Sequence, residues 1–117
     1  MTYVSVANTN AAQNAILVPS TTYYTNFNTA SPGQTGANVS TETYQATIFG
    51  SSSAGSQTTT DAQTWSSAVG GTYTYFSEWS TSTGTTFERG GSLTASISPP
   101  AGSQITIAIS GIVFTAS

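Results

Sequence analysis

Charge is nearly absent from this sequence, and that absence constrains the chain more than any other feature. Among 117 residues there are one basic and four acidic side chains, with no histidine, lysine or cysteine. A typical soluble domain has roughly a quarter charged residues. The polar surface must therefore come from hydroxyl and amide groups, and 19 serines and 23 threonines supply most of them. The charged residues are Glu42, Asp61, Glu78, Glu88 and Arg89.

The rest of the composition favours β-structure. Strand-forming Thr, Val, Ile, Tyr and Phe are enriched, while the straight-chain helix formers are scarce. An aromatic content of 11 % and clear apolar alternation argue for a packed core, since disordered chains are poor in both. Strand signals separated by turn clusters are typical of a sandwich or barrel. We therefore predict one all-β domain over residues 1–117, an antiparallel β-sandwich of jelly-roll or immunoglobulin-like type with about seven to nine short strands.

The predicted strands are stretches in which apolar residues alternate or run together. They are Thr2 to Ala7, Asn14 to Pro19, Thr21 to Phe27, Thr43 to Phe49, Thr72 to Trp79, Ser92 to Ser98 and Gln104 to Ala116. The last is one bent strand or two strands joined at Gly111, because the apolar residues change parity there. The stretch Asn10 to Leu17 also fits a helix, and this alternative stays open. The residues Gly50 to Thr60 are predicted to form turns.

Apolar positions within these strands define a predicted core. Its members are Val4, Val6, Ile16, Val18, Phe27, Ile48, Phe76, Leu93, Ile97, Ile105, Ile107 and Ile109. Glu78 alternates with the aromatic residues of its predicted strand and so falls on the face that points outward. Glu88 is adjacent to Arg89. Both carboxylates are therefore predicted to be solvated surface charges. With so few ion pairs available, stability is expected to vary little with pH or salt.

The residue inventory excludes most catalytic chemistry. A nucleophilic triad needs His, or Lys in variant forms, and neither residue is present. Zinc, iron and copper sites need His or Cys ligands, and no short loop holds two acidic residues for calcium. Glu78 and Glu88 flank one turn and are a conceivable glycosidase pair, but the surface-charge interpretation is favoured. We predict a protein that is not an enzyme, with no catalytic residues, no metal and no cofactor.

The charge balance also restricts the partners. Binding to a phosphate backbone or to an anionic membrane surface needs several cations, whereas the net charge is −3 and Arg89 stands alone. No apolar run is long enough for membrane insertion. Nucleic acid and membrane are therefore predicted not to be partners.

Aromatic residues supply one functional hypothesis. Tyr73, Tyr75 and Trp79 fall on the same face of a predicted strand, and Trp65 lies a short way upstream. Such a stripe is a core face, an assembly interface or a platform on which sugar rings stack. The third interpretation gives a lectin-like module that binds glycans. Its candidate contacts are Trp65, Tyr73, Tyr75 and Trp79, with Asp61 or Glu78 as polar partners.

The absence of lysine favours a second hypothesis, that the protein assembles with copies of itself. Monomeric proteins commonly blunt sheet edges with Lys or inward charges, and low net charge removes the repulsion that keeps monomers dispersed. We therefore expect a structural subunit that self-assembles into an extracellular filament or a viral shell or appendage. The composition resembles that of viral coat, pilus-like and lectin β-domains in general, as an analogy of composition alone. The expected location is extracellular, at the cell surface or in a virion. The predicted interface residues lie in the terminal strands and are Thr2, Tyr3, Val4, Ser5, Val6, Ile112, Val113 and Phe114.

Overall fold

Eight antiparallel strands make up the regular structure of the part of the chain that the computed structural model describes, which is residues 16–53, 56–107 and 112–115. They are β1 (Thr22–Asn28), β2 (Gln45–Ile48), β3 (Ser56–Thr58), β4 (Gln63–Trp65), β5 (Tyr73–Trp79), β6 (Phe87–Ile97), β7 (Ile105–Ile107) and β8 (Val113–Thr115). The predicted all-β antiparallel class is confirmed, and the arrangement is consistent with a β-sandwich.

The strands form one large sheet and two small ones. The main sheet has the order β2-β1-β5-β6, and β3 pairs with β8 and β4 with β7. A bridge between Phe49 and Thr59 joins the end of β2 to the chain that leaves β3. The Thr59 amide then donates to the carbonyl of Ile112 at 3.2 Å. These bonds connect the main sheet to the β3–β8 pair.

The apolar core consists of two clusters that meet at Leu93 and Ile107. The first contains Leu17, Tyr23, Phe49, Phe76 and Ile112. The second contains Phe27, Trp65, Ala68, Tyr73 and Ile105. Tyr23, Thr25 and Phe27 have the same parity on β1, so a buried threonine lies between an aromatic residue of each cluster.

The opposite face of β1 and β5 is also covered, and apart from Trp79 its buried side chains are polar. Asn26 Nδ2 donates to the carbonyl of Glu42 at 3.0 Å, and Asn28 Nδ2 donates to the carbonyl of Ala37 at 2.9 Å. Both asparagines are buried. Their amides take up backbone carbonyls of the connection between β1 and β2, which packs over this face.

The predicted buried strand over Asn14 to Pro19 is wrong for its described residues. Leu17 is buried, but Ile16 and Val18 are 41 % and 46 % exposed. The Val18 backbone makes a turn and a side-chain contact here: its amide donates to the Tyr23 hydroxyl at 2.8 Å, and its carbonyl accepts from the amide of Thr21 at 3.3 Å. The alternative helix over Asn10 to Leu17 lies outside the described residues except for its last two, of which Ile16 has helical backbone geometry.

The predicted turn region Gly50 to Thr60 contains β3, and β4 follows it closely. Both strands bury an amide side chain, Gln57 and Gln63 respectively, where a strand pattern would show an apolar residue. Gln57 Nε2 donates to the carbonyls of Leu17 at 2.7 Å and Gly50 at 3.0 Å. Hydropathy alternation therefore misses these two strands.

The predicted core is confirmed in its central strands and wrong at one end. Phe27, Phe76 and Ile105 are buried. Four further members are half-buried, namely Ile48, Leu93, Ile97 and Ile107. Ile16 and Val18 are exposed, as described above. Val4, Val6 and Ile109 lie outside the described residues, as do the predicted strand Thr2 to Ala7 and the predicted bulge at Gly111.

Candidate functional site

None of the exposed residues in the described part of the chain carries a charge. Glu42 and Glu78 are buried, and Asp61, Glu88 and Arg89 are half-buried. The exposed residues therefore present hydroxyl groups, amides, backbone and apolar side chains, the largest of which are Ile16, Val18 and Val69. The prediction that Glu78 is a solvated surface charge is wrong.

Glu78 lies on the core face of β5, directly across from Thr25 in β1. Thr25 Oγ1 is 2.7 and 2.9 Å from its two carboxyl oxygens, and 2.6 Å from Thr47 Oγ1. Loss of hydration on burial raises the pKa of Glu78 to about 8; the Thr25 hydrogen bond lowers it in part, and the charge of Asp61 raises it. At neutral pH the carboxyl group is therefore mostly protonated, which is why an acid is tolerated in the core.

Glu42 is a second buried carboxyl group, and it ties a loop to the sheet. It accepts hydrogen bonds from the amides of Val69 at 2.9 Å and Gly70 at 3.2 Å, and from the Tyr73 hydroxyl at 2.6 Å. Burial, followed by the hydrogen bond and charge of Glu42, raises the pKa of Tyr73 to about 12. The sequence gives no signal for this role, because the three donors lie 27 to 31 residues away.

The two tryptophans of the predicted sugar site are buried. Trp65 is 1 % and Trp79 is 6 % exposed. Their indole N–H groups donate inside the protein, from Trp65 to the carbonyl of Thr43 at 2.6 Å and from Trp79 to Ser77 Oγ at 2.8 Å. A buried indole with its polar atom already bonded presents no ring face to a sugar.

The predicted aromatic stripe on β5 is divided between two places. Tyr73 stacks on Phe27 with a centroid distance of 5.3 Å, in the second core cluster. Trp79 packs against Tyr44 at 6.0 Å, away from that cluster. A register shift between Tyr73 and Tyr75 separates them, and Tyr75 is half-buried. These residues therefore do not form a continuous exposed platform.

The predicted polar sugar contacts have internal roles as well. Asp61 Oδ1 accepts from the amide of Ile48 and from Gln63 Nε2, each at 3.0 Å. Glu78 is bonded to Thr25 in the core. The structure thus brings Asp61 near Glu78 in the interior, and not to the surface beside Trp79.

The predicted assembly residues at the C-terminal end pair within their own chain. Ile112 is buried in the first core cluster. Val113 and Phe114 belong to β8 and lie opposite Thr58 and Gln57 of β3. The N-terminal members, Thr2, Tyr3, Val4, Ser5 and Val6, lie outside the described residues.

Strand β6 is a long edge strand of the main sheet, and the sequence pattern predicted only its second half, from Ser92. It contains 11 residues, and among the described strands β5 is its one neighbour in the main sheet. Tyr75 pairs with Ser92 and Tyr73 pairs with Ile97, so Leu93 to Ser96 lie opposite Thr74 alone. Within this stretch Ala95 and Ser96 are exposed. The charged residues of β6 are confined to its other end, at Glu88 and Arg89.

In the described residues, no three His, Cys, Asp or Glu side chains form a group that could hold a metal ion. The same residues include no helix with the length and apolar character needed to cross a membrane. Neither the models of known protein families nor the curated protein sequences give a match to this chain.

Proposed function

We propose that the protein is a non-enzymatic structural subunit that assembles with copies of itself, as part of an extracellular filament or a viral shell or appendage. The observation that carries the proposal is the absence of charge from the exposed residues of the described chain. Surface charge keeps protein monomers apart by mutual repulsion and makes their contacts costly to desolvate. Exposed residues that carry hydroxyl, amide and apolar groups present neither obstacle to packing against another copy.

The sheet edges are the places where such packing gains the most. An edge strand presents unpaired backbone N–H and C=O groups, and monomers commonly blunt it with lysine. This chain has no lysine. The stretch Ser92 to Ile97 of β6 also lacks charge of any kind. Addition of a strand from another copy supplies backbone hydrogen bonds together with apolar burial.

The structure does not support the carbohydrate-binding alternative. It required Trp65 and Trp79 on the surface, and both are buried with their indole N–H groups bonded internally. We therefore do not retain it as a second proposal.

The proposal is tested by the mass of the protein in solution. Sedimentation velocity over rising concentration, with negative-stain microscopy, should show a concentration-dependent oligomer, ring, shell or filament. Ser96→Lys places a charge on the β6 edge, and Ser82→Lys places the same charge on the exposed turn before β6. Assembly should weaken in the first variant and persist in the second. A monomer at every concentration, with no particle by microscopy, would overturn the proposal.

A further inference from the structure

We infer that Asn38 is an acceptor for an N-linked glycan. The inference rests on the extracellular location within the proposed function, because a chain meets the glycosylation machinery during export. Asn38, Val39 and Ser40 form the triplet Asn-X-Ser, with X not proline, that this machinery recognises. The other five asparagines of the sequence do not begin such a triplet. The pattern therefore selects a single position.

The structure places this asparagine where a glycan has room. Asn38 is exposed, at the end of the turn 33–38 in the connection between β1 and β2. Its φ angle is 61°, a left-handed conformation that asparagine adopts more readily than most residues with a β-carbon. Ala37, which precedes it, is exposed as well. A large solvated group attached at this turn stays outside the protein interior.

The carboxamide of Asn38 has a proton to give up. Its Nδ2 carries two N–H groups and donates to the carbonyl of Ser31 at 3.0 Å. The donor in the transfer is an oligosaccharide linked through a diphosphate to a lipid. Nδ2 attacks the first sugar carbon, so that a C–N bond forms while the C–O bond to the diphosphate breaks and its electron pair leaves with the lipid diphosphate. Nδ2 loses one proton, and its second N–H remains for the exposed Ser31 residue.

The position of Ser40 determines when the transfer takes place. In the folded protein its hydroxyl donates to Asn26 Oδ1 at 2.8 Å and accepts from the amide of Glu42 at 3.2 Å. The acceptor pattern requires a hydroxyl at the third residue, and here that hydroxyl is engaged inside the fold. We therefore expect the sugar to be attached before the connection packs over Asn26. Folding then turns Ser40 inward and leaves Asn38 in solvent.

Secretion of the full chain from a eukaryotic cell, behind a cleavable signal peptide, tests the inference. The secreted protein should be heavier than its sequence by the mass of one oligosaccharide. Digestion with peptide N-glycanase should remove this excess and leave aspartate at position 38. Asn38→Gln should show no excess mass. Ser40→Thr should keep it, because threonine satisfies the pattern and retains a hydroxyl for Asn26.

A buried asparagine supplies the matched control. In the Asn38→Gln background, Asn28→Ser creates an acceptor triplet that begins at Asn26, whose side chain is buried. A sugar on Asn26 has no space in the fold, so this chain should be glycosylated and retained in the cell. Asn28→Ala in the same background loses the same amide without creating the triplet, and it should be secreted. Secretion of a folded chain glycosylated at Asn26 would overturn the link between exposure and glycan acceptance on which the inference depends.

Two further outcomes would overturn the inference. One is folded, secreted protein with no glycan at Asn38, in both the parent and Ser40→Thr. The other is a glycosylated parent that is retained in the cell while Asn38→Gln is secreted. Sedimentation of the Asn38→Gln protein tests the proposed function independently, since this variant carries no sugar at position 38. An ordered oligomer there upholds the proposed function whatever the glycan result, whereas a monomer overturns the proposed function alone.

Discussion

Thr25 Oγ1 lies 2.7 and 2.9 Å from the two carboxyl oxygens of Glu78, across the β1–β5 pairing and inside the core. The hydroxyl of Thr47 lies 2.6 Å from the same Thr25 oxygen. These three side chains form a polar centre between the two apolar clusters. A carboxyl group in such a place is stabilised mainly in its neutral form, because burial removes the hydration that its anion requires.

Stability should therefore fall as the solution becomes alkaline. The pKa of Glu78 is raised from an ordinary value of 4.5 to about 8, so between these values the folded state binds more protons than the unfolded state. The contribution is complete below about pH 4.5 and is lost as pH rises through 8. Each unit of pKa difference corresponds to about 1.4 kcal/mol. We expect the melting temperature to fall by roughly fifteen degrees between pH 5 and pH 9, measured by calorimetry.

The Glu78→Gln variant is the control for this pH dependence. Glutamine keeps the shape of the neutral carboxyl and cannot ionise, so its melting curve should change little between pH 5 and pH 9. This corrects the expectation, drawn from composition alone, that stability would be almost independent of pH. Identical pH profiles for the two proteins would show that Glu78 is not the group responsible.

The Glu42 carboxylate should be among the most important polar groups for stability. Glu42→Ala leaves the amides of Val69 and Gly70 without this acceptor, and it removes the shorter hydrogen bond of the Tyr73 hydroxyl, which keeps the carbonyl of Gly70 at 3.1 Å. We expect a loss of about 3 kcal/mol or more in the free energy of unfolding, and about 1–2 kcal/mol for Tyr73→Phe. Chemical denaturation measures both. Glu88→Gln, at a half-buried carboxylate, is the matched control and should stay within about 0.5 kcal/mol of the parent.

Two glycines offer a test of the packing around Trp79. Gly33 and Gly36 have φ angles of 60° and 78°, so alanine is disfavoured at both by roughly 1–2 kcal/mol. A β-carbon at Gly33 meets nothing within 4 Å, whereas one at Gly36 overlaps the rings of Trp79 and Phe87. Gly36→Ala should therefore cost about 1–3 kcal/mol more than Gly33→Ala. Equal losses would mean that the Trp79 ring moves aside freely.

Tryptophan fluorescence tests whether Trp65 and Trp79 are buried, which is the observation that argues against the sugar-binding hypothesis. Trp65 and Trp79 are 1 % and 6 % exposed, so their emission should be blue-shifted and poorly quenched by acrylamide. Addition of simple sugars should leave it unchanged. A saturable change with a sugar would contradict this expectation and restore the lectin-like alternative.

Much of the main sheet could be predicted because apolar and polar residues alternate along its strands. The predicted strand Thr72 to Trp79 corresponds to β5, and the predicted strand Thr21 to Phe27 to β1, with ends shifted by one residue. Strands β3 and β4 were missed because they bury Gln57 and Gln63, whose amides bond to the backbone inside the protein. Hydropathy gives glutamine the same value whether its Nε2 group is hydrogen-bonded to a carbonyl in the core or solvated on the surface.

The position of Glu78 was predicted wrongly for a related reason. A carboxylate in a strand pattern indicates a surface position unless its partner is known, and the partner of Glu78 lies 53 residues away in β1. The register shifts along the β5–β6 pair likewise have no signature in the sequence. Such features arise when particular strands meet, and parity counted along one strand does not contain them.

Arg89 gives this chain an unusual response to proteolysis. A protease that cuts after lysine or arginine has one bond to cut, Arg89–Gly90, which would yield fragments 1–89 and 90–117. In the folded protein that bond lies within β6, where Arg89 and Gly90 are paired with Glu78 and Ser77. An extended backbone held in a sheet does not enter a protease cleft until the pairing opens. The rate of this single cleavage therefore reports how often β6 separates from β5, without interference from fraying elsewhere in the chain.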